Sequence, residues 1–149
     1  MASEWGVSPK QSVLAEVRRR GTADVVSHCA AILSGDGVDP EFLFVLAGPA
    51  SRQILEGREG GLGGYWPKVW ALRALLYAWD DAAAGSVIDA TGDVSWRVRE
   101  MAARVIRAHA IDDALEVLGR LADDAVPRVR AAADRARVSL VETAPRRSR

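Results

Sequence analysis

The second half of this sequence repeats itself, and that limits the fold more than any other feature. Pro67-Lys68-Val69-Trp70-Ala71-Leu72 is followed by Trp96-Arg97-Val98-Arg99-Glu100-Met101-Ala102-Ala103 and by Pro127-Arg128-Val129-Arg130-Ala131-Ala132-Ala133. Val69, Val98 and Val129 stand 29 and 31 residues apart. Each copy places a basic residue before Val and then runs into an alanine-rich stretch that favours helix. Shorter helices are expected between the copies, at roughly Asp81 to Ala90 and Asp112 to Leu121. The unit is therefore a short helix, a tight turn, a longer helix and another turn. One such hairpin cannot bury its apolar face alone, so periods of this length mean stacked hairpins.

The first half carries helix signals without a clear repeat. Ser8-Pro9-Lys10-Gln11 predicts a capping box, with Pro9 at the first helical position and Gly21 past the end. Val13, Leu14 and Val17 supply its apolar stripe. Thr22 or Asp24 opens a second helix with Val25, Val26, Cys29, Ile32 and Leu33 inward and Gly35 as its stop. Asp39-Pro40-Glu41 opens a third over Phe42 to Leu46, broken by Gly48-Pro49, and a brief helix passes through Ile54 and Leu55. The segment 57–64 holds five glycines in eight residues and cannot sustain a helix. It lacks the Lys-Ser/Thr pair of a phosphate loop and is expected to be a flexible joint. The expected organisation is one domain over 1–149: divergent hairpins at 8–57, a joint at 58–64, clear repeats at 65–142 and a disordered tail at 143–149.

Asp93-Val94-Ser95-Trp96-Arg97-Val98-Arg99-Glu100-Met101-Ala102 and Asp124-Ala125-Val126-Pro127-Arg128-Val129-Arg130-Ala131-Ala132-Ala133 share the pattern D-x-x-x-x-V-R-x-x-A. This pattern resembles the HEAT repeat, of the HEAT-like kind also seen in phycobilisome lyases. The resemblance implies an all-α, α-α superhelix whose usual work is binding other macromolecules. It also implies a ladder from repeat to repeat made by Asp93, Arg99, Asp124 and Arg130, with Arg99 tied to the turn that holds Asp93. In the first copy Trp70 and Gly64 stand where Arg and Asp would be, so no rung is expected there.

A helical wheel through the second copy sets Val98, Met101, Ala102, Val105, Ile106 and Ala108 on the core side. The opposite arc holds Arg97, Glu100, Arg104 and Arg107. Arg128 and Arg135 repeat Arg97 and Arg104 in the next copy, and Lys68 matches Arg97 in the first. Stacking would align Lys68, Arg97, Arg104, Arg107, Arg128 and Arg135 as a basic stripe on the concave side. Trp66, Trp70, Trp79, Tyr65 and Tyr77 crowd one central helix. Arg73 falls on its core arc, as a register slip or as a buried ion-pair member with Glu56 or Glu59.

Twenty basic residues balance twenty acidic ones, which argues against a chain whose main task is coating nucleic acid. No apolar run is long enough to span a bilayer, and the start lacks a signal peptide's basic and apolar regions. One cysteine, Cys29, excludes an internal disulfide and fits a reducing cytosol, so a cytoplasmic protein is expected. Cys29 on an apolar helical face reads as a buried, inert thiol. His28 and His109 lie in different halves, and no His, Asp or Glu cluster has metal-ligand spacing. We therefore expect no catalytic residues, no metal and no cofactor. The expected function is a protein-interaction or scaffold module that binds an acidic protein partner along its basic stripe. The alternative is a nucleic-acid binder, or an enzyme resembling the HEAT-like DNA glycosylases, using the same groove.

Overall fold

A computed structural model describes residues 5–147, with the side chains of 144–147 excepted. The chain is all-helical, and no strand occurs among the described residues. It divides into two compact units, residues 1–83 and residues 84–149.

The first unit begins with α1 (Pro9–Arg20). Its capping box forms as the spacing requires: the Gln11 amide donates to Ser8 Oγ at 3.1 Å, and the Ser8 amide donates to Gln11 Oε1 at 2.8 Å. Gly21, at φ 91°, ends α1 and opens α2 (Thr22–Ser34), which stops at left-handed Gly35. Asp39 caps α3 (Pro40–Ala47) by accepting from the Glu41 amide at 3.1 Å. A single 3-10 turn leads into α4 (Ser51–Leu55). Gly48 takes φ 59°, and an added Cβ would lie 2.3 Å from the Trp5 ring, so only glycine fits beneath that indole. α5 (Trp66–Leu75) packs on α2 and α3.

Val13, Val25, Val26, Cys29, Phe42, Leu43, Leu46, Ile54, Leu72 and Leu75 form the core of this unit. Leu33 is only half-buried, and Phe44 and Leu55 are exposed, because each lies off the buried arc of its helix. α5 is buried on more sides than one, with Trp70, Ala71, Leu72, Ala74 and Leu75 all enclosed. The glycine-rich segment packs as 3-10 turns against α4, inside this unit, with positive φ at Glu59, Gly60 and Gly61. The division between the units falls at Ala83/Ala84 instead.

The second unit holds α6 (Ala84–Ala90), α7 (Trp96–His109), α8 (Leu115–Leu121) and α9 (Pro127–Arg147). The stretches 81–83 and 112–114, expected as helix starts, are 3-10 turns. Val98, Met101, Ala102, Val105 and Ile106 are buried as the wheel requires. Ala108 is exposed, and Ala103 is buried in its place. α7 packs against both α6 and α9, so its buried arc is wider than a single stripe. α9 continues through Arg147, past the point where a disordered tail was expected, and residues 148–149 lie outside the described residues.

Candidate functional site

α7 and α9 pack against each other, and their first turns meet through two separate ion pairs. Arg99 clasps Asp124 with both arms of its guanidinium: Nε donates to Oδ2 at 2.7 Å and Nη2 to Oδ1 at 3.1 Å. Arg128 reaches back to Glu100, donating from Nη2 to Oε1 at 3.3 Å, with Nε 3.1 Å from Oε2 in an ion-pair contact. The turns before the two helices share one hydrogen-bond pattern. Asp93 Oδ2 accepts from the Ser95 amide at 2.9 Å, and Asp124 Oδ1 accepts from the Val126 amide at 2.9 Å. Arg99 Nη1 donates to the Asp93 carbonyl at 2.9 Å, and Arg130 Nη1 donates to the Asp124 carbonyl at 2.6 Å. The sequence spacing is thus reproduced bond for bond.

The carboxylate in this pattern comes from the next turn, not from Asp93. Arg99 grips the carboxylate of the following turn, Asp124, and only the backbone of its own turn at Asp93 and Val94. The first turn of α7 lies beside the turn that opens α9, so the fork spans the hairpins rather than closing within one. The Asp124 side chain is only 8% exposed, and the Arg99 hydrogen bond holds its carboxyl below the usual carboxylate range. Glu100 is also largely enclosed, at 13% side-chain exposure.

The basic stripe is more divided than its sequence positions imply. Arg97 and Arg128 lean on Trp96, with guanidinium carbons 4.6 and 5.3 Å from its ring centre. Arg104 and Arg107 on α7 and Arg135 on α9 are exposed and make no ion pair among the described residues. Arg104 donates only to Met101 Sδ, at 3.3 Å. Arg107 and Arg135 border one shallow depression together with Asp134, Val138, Ser139 and Glu142. Lys68 belongs to α5, in the first unit. The rest of its arc, Ala71, Leu75 and Ala78, is buried, so the face open on α7 and α9 is covered on α5.

Sequence reasoning missed a second charged group. Glu16 is buried and accepts from Arg19 through Nε at 2.7 Å and Nη2 at 2.8 Å, while Arg20 Nε lies 3.0 Å away. Arg20 continues to Asp24 at 3.2 Å, and its guanidinium and the His28 ring both lie against Phe42. The Arg19 hydrogen bond holds the Glu16 carboxyl below its usual range. Part of the signal was present in the spacing: residues 16, 19 and 20 share one face of α1, and 24 and 28 share one face of α2, across the break at Gly21. Arg73 also finds a partner that no sequence rule named. It donates from Nη2 to the Leu46 carbonyl at 2.7 Å, in the last turn of α3, where the helix dipole favours a cation. Burial pushes its pKa down. Cys29 is fully enclosed, and burial pushes its thiol up to about 12. No cluster of three metal-ligating side chains occurs among the described residues, and none of their helices is long and apolar enough to cross a membrane.

No family model matches the chain, and neither a curated protein nor a solved structure does.

Proposed function

We propose that the chain is a non-enzymatic, HEAT-like interaction module, and that the α7–α9 face receives an acidic protein surface. The observation that carries this is the exposure of Arg104, Arg107 and Arg135 on two adjacent helices, none of them in an ion pair among the described residues. Cations on adjacent helices add their fields even where the whole chain is neutral. Planar guanidinium forks suit carboxylates in bidentate pairs. The repeated turn hydrogen bonds at 93–99 and 124–130 support a stacked-hairpin architecture, and the proposed concave side is the one bearing these arginines. Arg97 and Arg128 act in this scheme as supports: packed on Trp96, they hold the rim while the other three arginines contact the partner. Acids at Glu100, Asp134 and Glu142 interrupt the stripe, which favours a protein surface of mixed charge over a continuous phosphate backbone.

The test is a triple reversal, Arg104→Glu, Arg107→Glu and Arg135→Glu, which leaves the Trp96 cluster intact. Partners captured from the source cell should be lost, and binding by the parent protein should weaken steeply with salt. The helical circular dichroism and Tm should stay close to the parent's. Capture that survives the reversal overturns the proposal. Tight, salt-sensitive binding of short duplex DNA, abolished by the same variant, would replace it with a nucleic-acid reading.

A further inference from the structure

Arg130 repeats the placement of Arg99 and its anchor on the preceding turn, but not its carboxylate. Both follow an aspartate turn by six residues, both anchor Nη1 on that turn's carbonyl, and both sit in the first turn of a long helix. Arg99 then spends Nε and Nη2 on the Asp124 carboxylate. Arg130 has no carboxylate on Nε or Nη2 among the described residues. The surrounding surface differs in the same way. On α7, Ala103 and Ile106 share the arc of Arg99 by helical spacing and are fully buried, and Arg99 meets the turn that opens α9. On α9 the matching positions are Asp134 and Arg137, exposed and 3.9 Å apart, and the position matching Ala110 is Val141, 61% exposed.

We propose that Arg130 is an open carboxylate receptor, filled by an aspartate in the turn that opens a helix of a partner protein. The molecule itself supplies the template for the occupant. Asp124 accepts a backbone amide two residues on while presenting both oxygens to Arg99, so its carboxylate is fixed before the arginine meets it. A partner aspartate held the same way would meet the free Nε and Nη2 edge in a bidentate pair. The neighbouring Asp134–Arg137 pair requires polar groups opposite it, and Val141 a small apolar one. Arg130 itself lies roughly 140° around the helix axis from Arg135 at 100° per residue, while Asp134 borders both surfaces, so the test must read Arg130 separately from Arg135.

The Nε–Hε signal of Arg130 in the full 15N-labelled chain reads this directly, once assigned with Arg130→Lys. The probe is a synthetic peptide of residues 119–133, which carries the Asp124 turn, against the same peptide with Asp124→Asn. The Arg130 signal should move toward the position of the Arg99 signal, several-fold further with the aspartate peptide than with the asparagine one. In the Arg130→Lys chain the two peptides should bind alike. Equal shifts with both peptides, or no shift at Arg130, overturn the proposal. Shifts confined to Arg104, Arg107 and Arg135 do the same while leaving the acidic-partner face standing. A shift of Arg130 on raising protein concentration without peptide means a second copy fills the fork, and overturns the assignment to a different protein.

Discussion

The two units hold their charges in different ways. In the first, the ion pairs are local: Glu16 with Arg19 and Arg20, and Arg20 with Asp24, all three or four residues apart on consecutive helices. Its long-range polar contacts run to backbone carbonyls, Ser12 Oγ to Val45 at 2.7 Å and Arg73 to Leu46. In the second unit, beside the exposed local contact of Arg137 with Asp134, two pairs join residues 25 and 28 positions apart, Arg99 with Asp124 and Arg128 with Glu100. A local pair supports the helix that already contains it. A pair between hairpins sets the register of one helix against another. Repetition makes the second kind possible, because an Asp-turn recurring at a fixed spacing brings its carboxylate beside the arginine of the preceding copy.

Deleting the long-range pair should have the largest effect. Arg99→Ala leaves the enclosed Asp124 carboxylate without its main partner and should cost roughly 1–3 kcal/mol, read as a lower urea midpoint with an unchanged m-value. The same pair carries a pH signature. Its folded carboxyl titrates below the unfolded one, so its contribution is present at neutral pH and is lost as pH falls through the folded value. The stability gap between the parent and Arg99→Ala should therefore narrow below about pH 4. A constant gap would place the cost of the substitution in packing rather than charge.

Arg19→Ala tests the local kind. Arg19 is 66% exposed, and Arg20 still faces Glu16, so the urea midpoint should fall by much less than in Arg99→Ala. If it matches Arg99→Ala, the distinction between the units fails. Smallest of all is Arg107→Ala, an exposed position with no ion pair, where the change should fall within about 0.5 kcal/mol of zero. Its Tm should be that of the parent.

Much of the helix plan was legible in the chain. The capping box at Ser8, the stops at Gly21 and Gly35 and the Pro at the start of α3 depend on neighbours within four residues, so local rules suffice. The core arc of α7 was nearly complete for the same reason. The site was less legible. Arg97, Arg104, Arg107, Arg128 and Arg135 were found by spacing, yet spacing could not tell which would turn to Trp96 or Glu100 and which would stay open. The Arg73 contact was invisible, because a backbone carbonyl 27 residues away leaves no mark in residue type.

The sequence alone determined that the chain is helical, where most helices start and stop, and that its later hairpins share one turn chemistry. Those properties come from capping, glycine and periodicity, which act within a turn or two. Only the tertiary structure decided that Arg99 meets Asp124 rather than Asp93, that Ala108 is open and Ala103 closed, and that Arg130 keeps a free edge. Each depends on which helix lies alongside, and a guanidinium reaches far enough to choose among partners that only packing brings near.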